Sequence, residues 1–306
     1  MPGESAKVRV AVGDHELTLS NLGKVLYPEA GFTKAQVIDY YTQVAPVLLP
    51  HLADRALTVK RYPDGVNRHF FFEKNRPSHT PPWVRTERLP APGSTKNRET
   101  IDYVVVDDLP TLVWLANLAA LELHVPQWTV GRQGGARGAD LLVFDLDPGE
   151  PATVVECCRV AGLLRELLTA DGLEAYAKTS GNKGLQLYVP IAPAAPGLTS
   201  AYAKELAQRL EAAHPELVVH RMTKALRPGK VLVDWSQNNP AKTTVAAYSL
   251  RAKETPTVST PVSWDEVTSC TVAADLGFTA ADVLERVARD GDLLAPLLAR
   301  RRPQLP

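Results

Sequence analysis

The amino-acid sequence predicts a mixed α/β fold. Segments with helical apolar spacing, such as 154–168 and 200–213, alternate along the chain with short β-branched runs such as 101–106 and 231–235. Interspersed helices and strands favour α/β architectures over all-helical or all-strand ones. The 306 residues are 45% hydrophobic and 22% charged, which is the composition of a globular protein with a large core.

The N-terminal half is predicted to begin with strands and a capped helix. Thr33 can serve as an N-cap, and Pro110 suits the first turn of a later helix. The turn sequence Pro63-Asp64-Gly65 ends one strand. The predicted elements are, in chain order, a strand or hairpin over 8–19, a helix from 33, a strand over 57–62, a surface loop over 76–99, a strand over 101–106 and a helix over 109–123.

The C-terminal half continues the alternation. Its predicted elements are a strand over 141–147, a helix over 154–168, a strand–turn–strand over 175–189, a helix over 200–213, strands over 231–235 and 243–250, and a helix over 280–289. No internal repeat or low-complexity linker separates them. We therefore expect residues 1–306 to form one module with its core over about 8–295.

Charge and cysteine content narrow the functional classes. Lys+Arg and Asp+Glu both number 34, so the net charge is zero and any site for a polyanion must be a local patch. Three cysteines, two of them adjacent, do not predict a disulfide framework. The sequence starts without a signal-peptide pattern, and no apolar run approaches the roughly 20 residues that span a bilayer. We therefore expect a protein of the reducing cytoplasm without a membrane partner.

Two aspartates at a strand end are the most informative motif. The apolar residues 141–144 lead into Asp145 and Asp147, which share one face because side chains alternate along a strand. Pro148 and Gly149 then favour a turn. Paired carboxylates repel each other unless a cation lies between them, and oxygen-only ligands suit Mg²⁺ or Mn²⁺. The motif therefore indicates phosphoryl or nucleotidyl transfer, the alternative being two solvated aspartates at an exposed junction.

Two further segments could join this site. Residues 180–184 form a polar, glycine-flanked turn whose backbone N–H groups could approach phosphates, with Lys183 adding charge. An ordinary hairpin turn is the alternative, and the Walker A spacing is absent. Asp234 ends another apolar strand and could be a third carboxylate, or simply one more aspartate at a strand end.

Basic and aromatic residues suggest contacts with nucleic acid. Lys60 and Arg61 precede the aromatic stretch 69–75, and such interleaving is typical of base stacking and backbone tracking. The three consecutive phenylalanines could equally belong to the core. Asn21 and Lys24, together with Lys34 at a helix start, could converge on a phosphate or lie in a solvated loop.

Together these segments resemble the polymerase domain of bacterial ligase D, a branch of the archaeo-eukaryotic primase superfamily used in non-homologous end joining. The resemblance runs from about residue 20 to residue 294. It implies an RRM-like catalytic half packed on an N-terminal α/β half around one cleft. The matching blocks, in the same order, are 22–28, 122–128, 142–147, 179–184, 233–238 and 242–251.

The resemblance also implies roles for individual residues. Asp145, Asp147 and Asp234 would carry two Mn²⁺ or Mg²⁺ ions. The residues implied in nucleotide binding are Ser180, Lys183, Gln186, His124, Gln237, Arg251, Lys60 and Arg61. Those implied in DNA binding are Asn21, Lys24 and Lys34 for a downstream 5′-phosphate, Phe71 and Phe72 for template bases, and Arg227 in a mobile loop that orders the site.

Gln186 departs from the family pattern, where this position of the turn is histidine. Histidine can donate to a triphosphate oxygen as a cation or as a neutral tautomer, whereas glutamine donates only as a neutral amide. We therefore expect an active enzyme whose affinity for triphosphate, or the pH dependence of that affinity, is altered.

The implied function is a DNA-directed nucleotidyltransferase that extends primer 3′ ends by one or a few nucleotides, preferentially ribonucleotides. Its implied partners are gapped duplexes or broken ends with a 5′-phosphate, nucleoside triphosphates, a DNA ligase and a Ku-type end-binding protein, at the nucleoid in the cytoplasm. End joining and excision-repair gap filling both fit, as do a stand-alone protein and one domain of a longer chain.

Two alternatives belong to other classes. A D-x-D phosphohydrolase of the haloacid dehalogenase type would carry Gly-Thr where this chain has Pro148 and Gly149. A non-catalytic DNA end-bridging module would be indicated by a lost metal carboxylate, yet the sequence retains all three.

Overall fold

The computed structural model describes residues 7–91, 99–195 and 197–306 and has a mixed α/β architecture, which confirms the predicted fold class. The helices are α1 Lys34–Leu52, α2 Leu109–Asn117, α3 Val154–Ala170, α4 Leu198–Ala213, α5 Trp264–Ser269 and α6 Ala280–Asp290. The strands are β1 Lys7–Val12, β2 His15–Ser20, β3 Val25–Tyr27, β4 Phe32–Thr33, β5 Thr58–Arg61, β6 Phe71–Glu73, β7 Thr86–Pro90, β8 Thr100–Val104, β9 Ala120–Val125, β10 Trp128–Val130, β11 Ala136–Pro148, β12 Tyr176–Thr179, β13 Leu185–Ala194, β14 Val218–Val219, β15 Val231–Asp234, β16 Thr244–Val245 and β17 Pro261–Val262.

The larger sheet centres on the long strand β11. Its described strands follow the order β14-β15-β11-β13-β12-β17, with β10 also paired to β11. Side chains alternate along β11, so Phe144 and Leu146 pack with α3 and α4 on one face, while Leu141 and Val143 join a second core on the other. Both faces of β11 are therefore buried from Asp140 to Phe144, which fixes this part of the strand between the two cores.

The smaller sheet, in the order β16-β9-β5-β6, packs against α1 and α2. Helix α1 begins as predicted at Thr33, whose hydroxyl accepts the Gln36 N–H in a capping box. Buried Tyr41 donates its hydroxyl to Leu121 O at 2.6 Å, tying α1 to β9. The core of this half includes Leu141 and Val143 of β11. The two halves therefore share apolar packing, and the predicted extent of the single module, 1–306, stays a prediction.

The side chain of Asn238 takes the place of a neighbouring strand beside β11. Strand β15 pairs with β11 only from Asp145 to Pro148. At Val143, the backbone N–H donates to Asn238 Oδ1 at 2.9 Å, and Asn238 Nδ2 donates to the Val143 carbonyl at 2.7 Å. Because Asn238 is buried, no water replaces these bonds when they are lost.

One predicted helix is wrong in its second half. Helix α2 ends at Asn117, Ala119 adopts a positive φ of 57°, and residues 120–125 form β9 instead of continuing the predicted helix 109–123. Nearly all of these residues are buried. An all-apolar run does not distinguish a buried helix from a buried strand by its periodicity.

Two other predictions need correction. Thr86–Pro90 of the predicted loop 76–99 forms β7, which pairs with β8 over Thr100–Val104; residues 92–98 of that loop lie outside the described residues. The strand signal was weak because Leu89 is the single buried residue of this five-residue strand. The predicted strand 243–250 is limited to Thr244–Val245, since Tyr248 adopts a φ of 65° that a strand does not allow.

Other features agree with the sequence. The three cysteines are buried free thiols. No helix in the described parts of the chain is long and apolar enough to cross a membrane.

We predict that Asn238→Ala lowers the free energy of unfolding by about 2–4 kcal/mol, because it leaves the buried Val143 N–H and carbonyl unpaired at roughly 1–3 kcal/mol each. Chemical denaturation measures this difference. The neighbouring Asn239→Ala is the control, because Asn239 is exposed and its loss is expected to cost no more than about 0.5 kcal/mol. Equal costs for the two variants would contradict the assigned role of Asn238.

Candidate active site

Three carboxylates meet where β11 and β15 pair. Asp145 lies directly opposite Asp234 in the antiparallel register, and Asp147 follows two residues later on the same strand. Asp234 is held by its own turn, since Oδ1 accepts from the Ser236 N–H at 2.9 Å and Oδ2 from Gln237 Nε2 at 2.7 Å. The strand pairing, rather than a flexible loop, therefore sets the spacing of the three groups.

The environment of Asp145 and Asp147 opposes their negative charge. Burial, followed by repulsion from Asp147, raises the pKa of Asp145, although a hydrogen bond from Gln186 lowers it. Desolvation in the cleft, followed by the charge of Asp234, raises the pKa of Asp147, and Arg227 opposes this effect. A cation between the carboxylates would relieve this repulsion.

The donor set fits a hard divalent ion in its chemistry, because it consists of carboxylate oxygens alone. As the side chains stand, no group of three or more His, Cys, Asp or Glu within residues 7–91, 99–195 and 197–306 is arranged to enclose a metal ion. By the chemistry of their donor atoms and their register, Asp145, Asp147 and Asp234 are the residues that would hold one, and their assignment as metal ligands stays a prediction.

The turn between β12 and β13 approaches these aspartates closely. A Cβ on Gly184 would lie 2.1 Å from Leu146 O, so only glycine allows the turn to rest against β11. Ser180 closes the turn, because its hydroxyl accepts the N–H groups of Asn182 and Gly184 at 3.2 and 3.1 Å. Lys183 at its tip is exposed and paired with Glu150 at 2.7 Å.

Glu122 was missed by the sequence analysis and lies at the centre of a group of basic and aromatic side chains. It is 3% exposed and accepts from the Ala252 N–H. His124 lies 2.9 Å from its carboxylate, and Lys60 and Arg251 each lie 3.6 Å away. The sequence did contain a signal for Glu122, because a glutamate and a histidine at positions 122 and 124 share one face of a strand.

The charges around Glu122 outweigh its burial. Desolvation alone would raise the pKa of Glu122. The hydrogen bond from His124 and the charges of Arg251 and Lys60 nevertheless lower this pKa to about 2. Burial lowers the pKa of His124, and Glu122 partly offsets this. Arg251 also donates to Ser180 O at 2.9 Å, so Glu122 is connected through Arg251 to the glycine-flanked turn.

Lys60 and Arg61 point to different sides of β5, so only Lys60 reaches Glu122. Its Nζ lies 4.3 Å from the ring centroid of Phe70 and 5.4 Å from that of Phe72. The Phe70 and Phe72 rings are 41% and 56% exposed. Phe70, which the sequence analysis left without a role, therefore joins Phe72 and Lys60 in an exposed aromatic platform.

Arg61 faces the other way and forms a different set of contacts. It pairs with Glu73 at 3.0 Å, donates to Leu118 O at 2.9 Å and lies 5.1 Å from the Phe71 ring centroid. The predicted pairs Lys60–Arg61 and Phe71–Phe72 are thus each divided between two faces, as strand alternation requires.

Lys34 and Lys24 meet at the start of α1. Lys34 is buried and donates to Ser20 O at 2.7 Å, while Lys24 pairs with Asp64 at 2.6 Å. Burial, followed by the charges of Lys24 and Arg61, lowers the pKa of Lys34 to about 8. Arg61 therefore contributes to the charge of this basic pocket rather than to the Glu122 cluster.

For Asn21 and Arg227, two further residues predicted to bind DNA, the structure shows roles of the backbone. Asn21 adopts a φ of 55°, and its carbonyl accepts the Lys24 N–H at 2.9 Å, so it shapes the turn that carries Lys24. The carbonyl of Arg227 packs so closely on Gly149 that a Cβ there would lie 2.1 Å from it. This packing holds the Arg227 segment beside the end of β11, near Asp147.

Gln186 lies in the sheet opposite Asp145. Its Nε2 donates to Asp145 Oδ1 at 3.0 Å, and its Oε1 accepts from Lys178 Nζ at 2.5 Å. Both polar atoms of the amide are therefore engaged by the protein. A direct contact of Gln186 with a triphosphate stays a prediction.

The site thus combines the carboxylates of β11 and β15 with a group of basic and aromatic side chains around Glu122, and Arg251 connects the two through Glu122 and the carbonyl of Ser180. This class of architecture is matched by the family described as "LigD, primase-polymerase domain", whose sequence model covers residues 33–294. The chain belongs to the LigD primase-polymerase domain family, a family of nucleotidyltransferases.

Individual relatives agree with this membership. The chain is 47% identical over 280 residues to the multifunctional non-homologous end joining protein LigD of Mycolicibacterium smegmatis, covering 91% of this chain and 36% of that protein. It is 34% identical over 278 residues to the bifunctional non-homologous end joining protein LigD of Bacillus subtilis, covering 90% of this chain and 43% of that one. The chain therefore spans less than half the length of these relatives.

A solved structure gives the same result. The polymerase domain of Mycobacterium tuberculosis ligase D in complex with DNA superposes with a TM-score of 0.87 at 44% identity, over 93% of this chain and 98% of that one. The resemblance to the ligase D polymerase domain is thereby confirmed. Membership of a polymerase family argues against the phosphohydrolase alternative.

We predict that Glu122→Gln destabilises the protein most above about pH 4.5 and progressively less as the pH falls towards 2. The folded-state pKa of Glu122, about 2, is depressed from 4.5, so the carboxylate stabilises the fold above the unfolded-state pKa and loses this effect as it is protonated. Chemical denaturation at a series of pH values measures it, with exposed Glu29→Gln as the control. A difference between wild type and Glu122→Gln that does not change with pH would contradict this account.

Proposed function

We propose that this chain is a DNA-directed nucleotidyltransferase that extends a primer 3′ end by one or a few nucleotides, preferentially ribonucleotides, at short gaps or broken ends that carry a 5′-phosphate. The observation that carries the proposal is the β11–β15 register. It holds three carboxylates together, directly beside a glycine-flanked turn with an exposed lysine.

The three carboxylates and the 180–184 turn would bind the groups that react, the primer hydroxyl and the triphosphate. Asp145, Asp147 and Asp234 would hold two Mn²⁺ or Mg²⁺ ions, which when bound supply activation of the primer hydroxyl and charge neutralisation at the leaving pyrophosphate. The N–H groups of the turn and Lys183 would orient the triphosphate. Lys183 would then exchange its exposed partner Glu150 for phosphate oxygens.

The basic and aromatic residues around Glu122 would bind the sugar and the bases. Glu122 holds His124, Lys60 and Arg251 in fixed positions, so these side chains are preorganised for an incoming nucleotide. Phe72, with Phe70 beside it, offers an exposed ring surface on which a template base could stack, and base–aromatic stacking is worth about 1–3 kcal/mol per base.

The basic pocket would anchor the downstream strand. Lys34 is a largely desolvated cation crowded by Lys24 and Arg61, and a phosphate would relieve this repulsion. Lys24 would release Asp64 to bind it. Such a local pocket gives affinity for DNA although the net charge of the chain is zero.

The relatives' names point to the process that the chain serves. Both LigD proteins are named for non-homologous end joining, and we propose that this chain supplies the nucleotide-adding step there or in excision-repair gap filling. A DNA ligase would then seal the extended strand, and a Ku-type protein would hold the ends.

Primer extension tests the proposal directly. We expect the wild type to extend a primer on a short gapped duplex with a 5′-phosphate in the presence of Mn²⁺, using ribonucleotides more efficiently than deoxynucleotides. Asp147→Ala is expected to abolish extension while retaining DNA binding, because it removes one of the three carboxylates. Extension by Asp147→Ala at the wild-type rate, or none by the folded wild type, would refute the proposed function.

The 5′-phosphate anchor makes a separate prediction. Lys24→Ala is expected to weaken binding to a 5′-phosphorylated gap by about tenfold, equivalent to about 1.4 kcal/mol, and to leave binding to the unphosphorylated gap nearly unchanged. Fluorescence anisotropy with the two duplexes measures this difference. Exposed Lys7→Ala is the control, expected to affect neither. Equal losses on both duplexes would contradict the pocket assignment.

A further inference from the structure

Lys178 is a buried lysine next to the carboxylate site that the proposed mechanism does not use. It lies on β12, opposite Gln186 of β13, and is 1% exposed. Its Nζ donates to Gln186 Oε1 at 2.5 Å and to Ser259 Oγ at 2.6 Å. Because the amino group is enclosed, it cannot contact DNA or nucleotide and must act through its neighbours.

Gln186 connects this lysine to Asp145. The register places Gln186 between Lys178 on one side and Asp145 on the other, and Gln186 Nε2 donates to Asp145 Oδ1 at 3.0 Å. The chain of bonds therefore runs from a buried lysine, through one amide, to a carboxylate of the proposed metal site.

The chemistry of the two end groups determines which way the amide points. The amino group of Lys178 donates to the amide oxygen, and the Asp145 carboxylate oxygen accepts from the amide nitrogen. The amide satisfies both neighbours in one orientation alone, with its oxygen towards Lys178 and its nitrogen towards Asp145. The flipped amide would place oxygen against oxygen and N–H against N–H.

We propose that Lys178 and Gln186 are positioning residues that orient the Asp145 carboxylate for a divalent cation. The inference rests on the proposed function and extends it to residues that do not touch substrate. The N–H at Oδ1 fixes the rotation of the carboxylate and counteracts the repulsion from Asp147 and Asp234. Outer partners of this kind typically contribute 10–100-fold to metal affinity or activity.

This role explains how glutamine can replace the histidine that the family pattern has at position 186. A neutral imidazole has one N–H donor and one acceptor nitrogen, so it can accept from Lys178 and donate to Asp145 as the amide does. Position 186 therefore requires one acceptor and one donor. This account replaces the expectation from the sequence that Gln186 alters the affinity for triphosphate, because it assigns residue 186 to the Asp145 carboxylate instead.

A graded series of variants tests the requirement. Gln186→His keeps donor and acceptor, Gln186→Glu keeps only acceptors, and Gln186→Leu keeps neither; Lys178→Met removes the group that orients the amide. Gln127→Leu is the matched control, since the buried side chain of Gln127 donates to Thr244 and makes no bond to any aspartate that the structure describes. Equilibrium binding of Mn²⁺, measured from the electron paramagnetic resonance signal of the free ion, is the main readout.

We expect Gln186→Glu, Gln186→Leu and Lys178→Met to weaken Mn²⁺ binding by about tenfold or more. Gln186→His and Gln127→Leu should remain within about threefold of wild type, with the Michaelis constant for nucleotide unchanged in Gln186→His. Melting temperatures identify variants that fail to fold. If Gln186→Leu fails to fold, the comparison of Gln186→Glu with Gln186→His tests whether Mn²⁺ binding requires a donor at position 186.

Two results would overturn the inference. One is wild-type Mn²⁺ binding in both Gln186→Glu and Lys178→Met. The other is a lower Michaelis constant for nucleotide in Gln186→His with unchanged Mn²⁺ binding, which would place residue 186 against the triphosphate. Failure of the wild type to extend primers, with the Mn²⁺ series as expected, would refute the proposed function and leave the positioning pair supported.

Discussion

The pairing of β11 with β15 forces like charges together, and the remainder of the site compensates for this. Asp145 and Asp234 are opposed in the register, and both faces of β11 are packed, so the strand cannot move to separate them. Such repulsion is costly in a partly buried cleft. The same arrangement attracts a cation strongly, so a bound cation would offset this cost.

The donors around the aspartates reduce the repulsion without removing it. Gln186 donates to Asp145, and Ser236 and Gln237 donate to Asp234. These are neutral groups at direct contact, and the charge of Arg227 acts on Asp147 from further away. A full cation at direct contact would have cancelled the attraction for metal, whereas neutral donors orient the carboxylates and preserve it.

The residues around Glu122 have the reverse arrangement of charge, because one carboxylate lies between two cations, Lys60 and Arg251. Glu122 is surrounded by Lys60, Arg251 and the imidazole of His124, and its charge offsets the repulsion between the two cations, Lys60 and Arg251. The site therefore has acidic side chains suited to cations close to basic side chains suited to polyanions. This explains how a chain with no net charge can hold both a metal site and a nucleic-acid surface, since fields over such distances depend on local placement.

Sequence reasoning predicted the features that depend on local periodicity. The shared face of Asp145 and Asp147 follows from alternation alone, and the same rule separates Lys60 from Arg61. It did not find Glu122 or Lys178, whose importance depends on strand register and on contacts distant in the chain. The helix predicted over 109–123 was wrong in its second half because residues 118–123 are apolar except for Glu122, so only tertiary packing selects the strand β9.

The most direct test of the account is diffraction at the manganese absorption edge from crystals containing Mn²⁺, a gapped duplex and a non-reactive nucleotide. The account predicts anomalous density bounded by Asp145, Asp147 and Asp234, next to the 180–184 turn. Bound nucleotide with no manganese at these three carboxylates would contradict it.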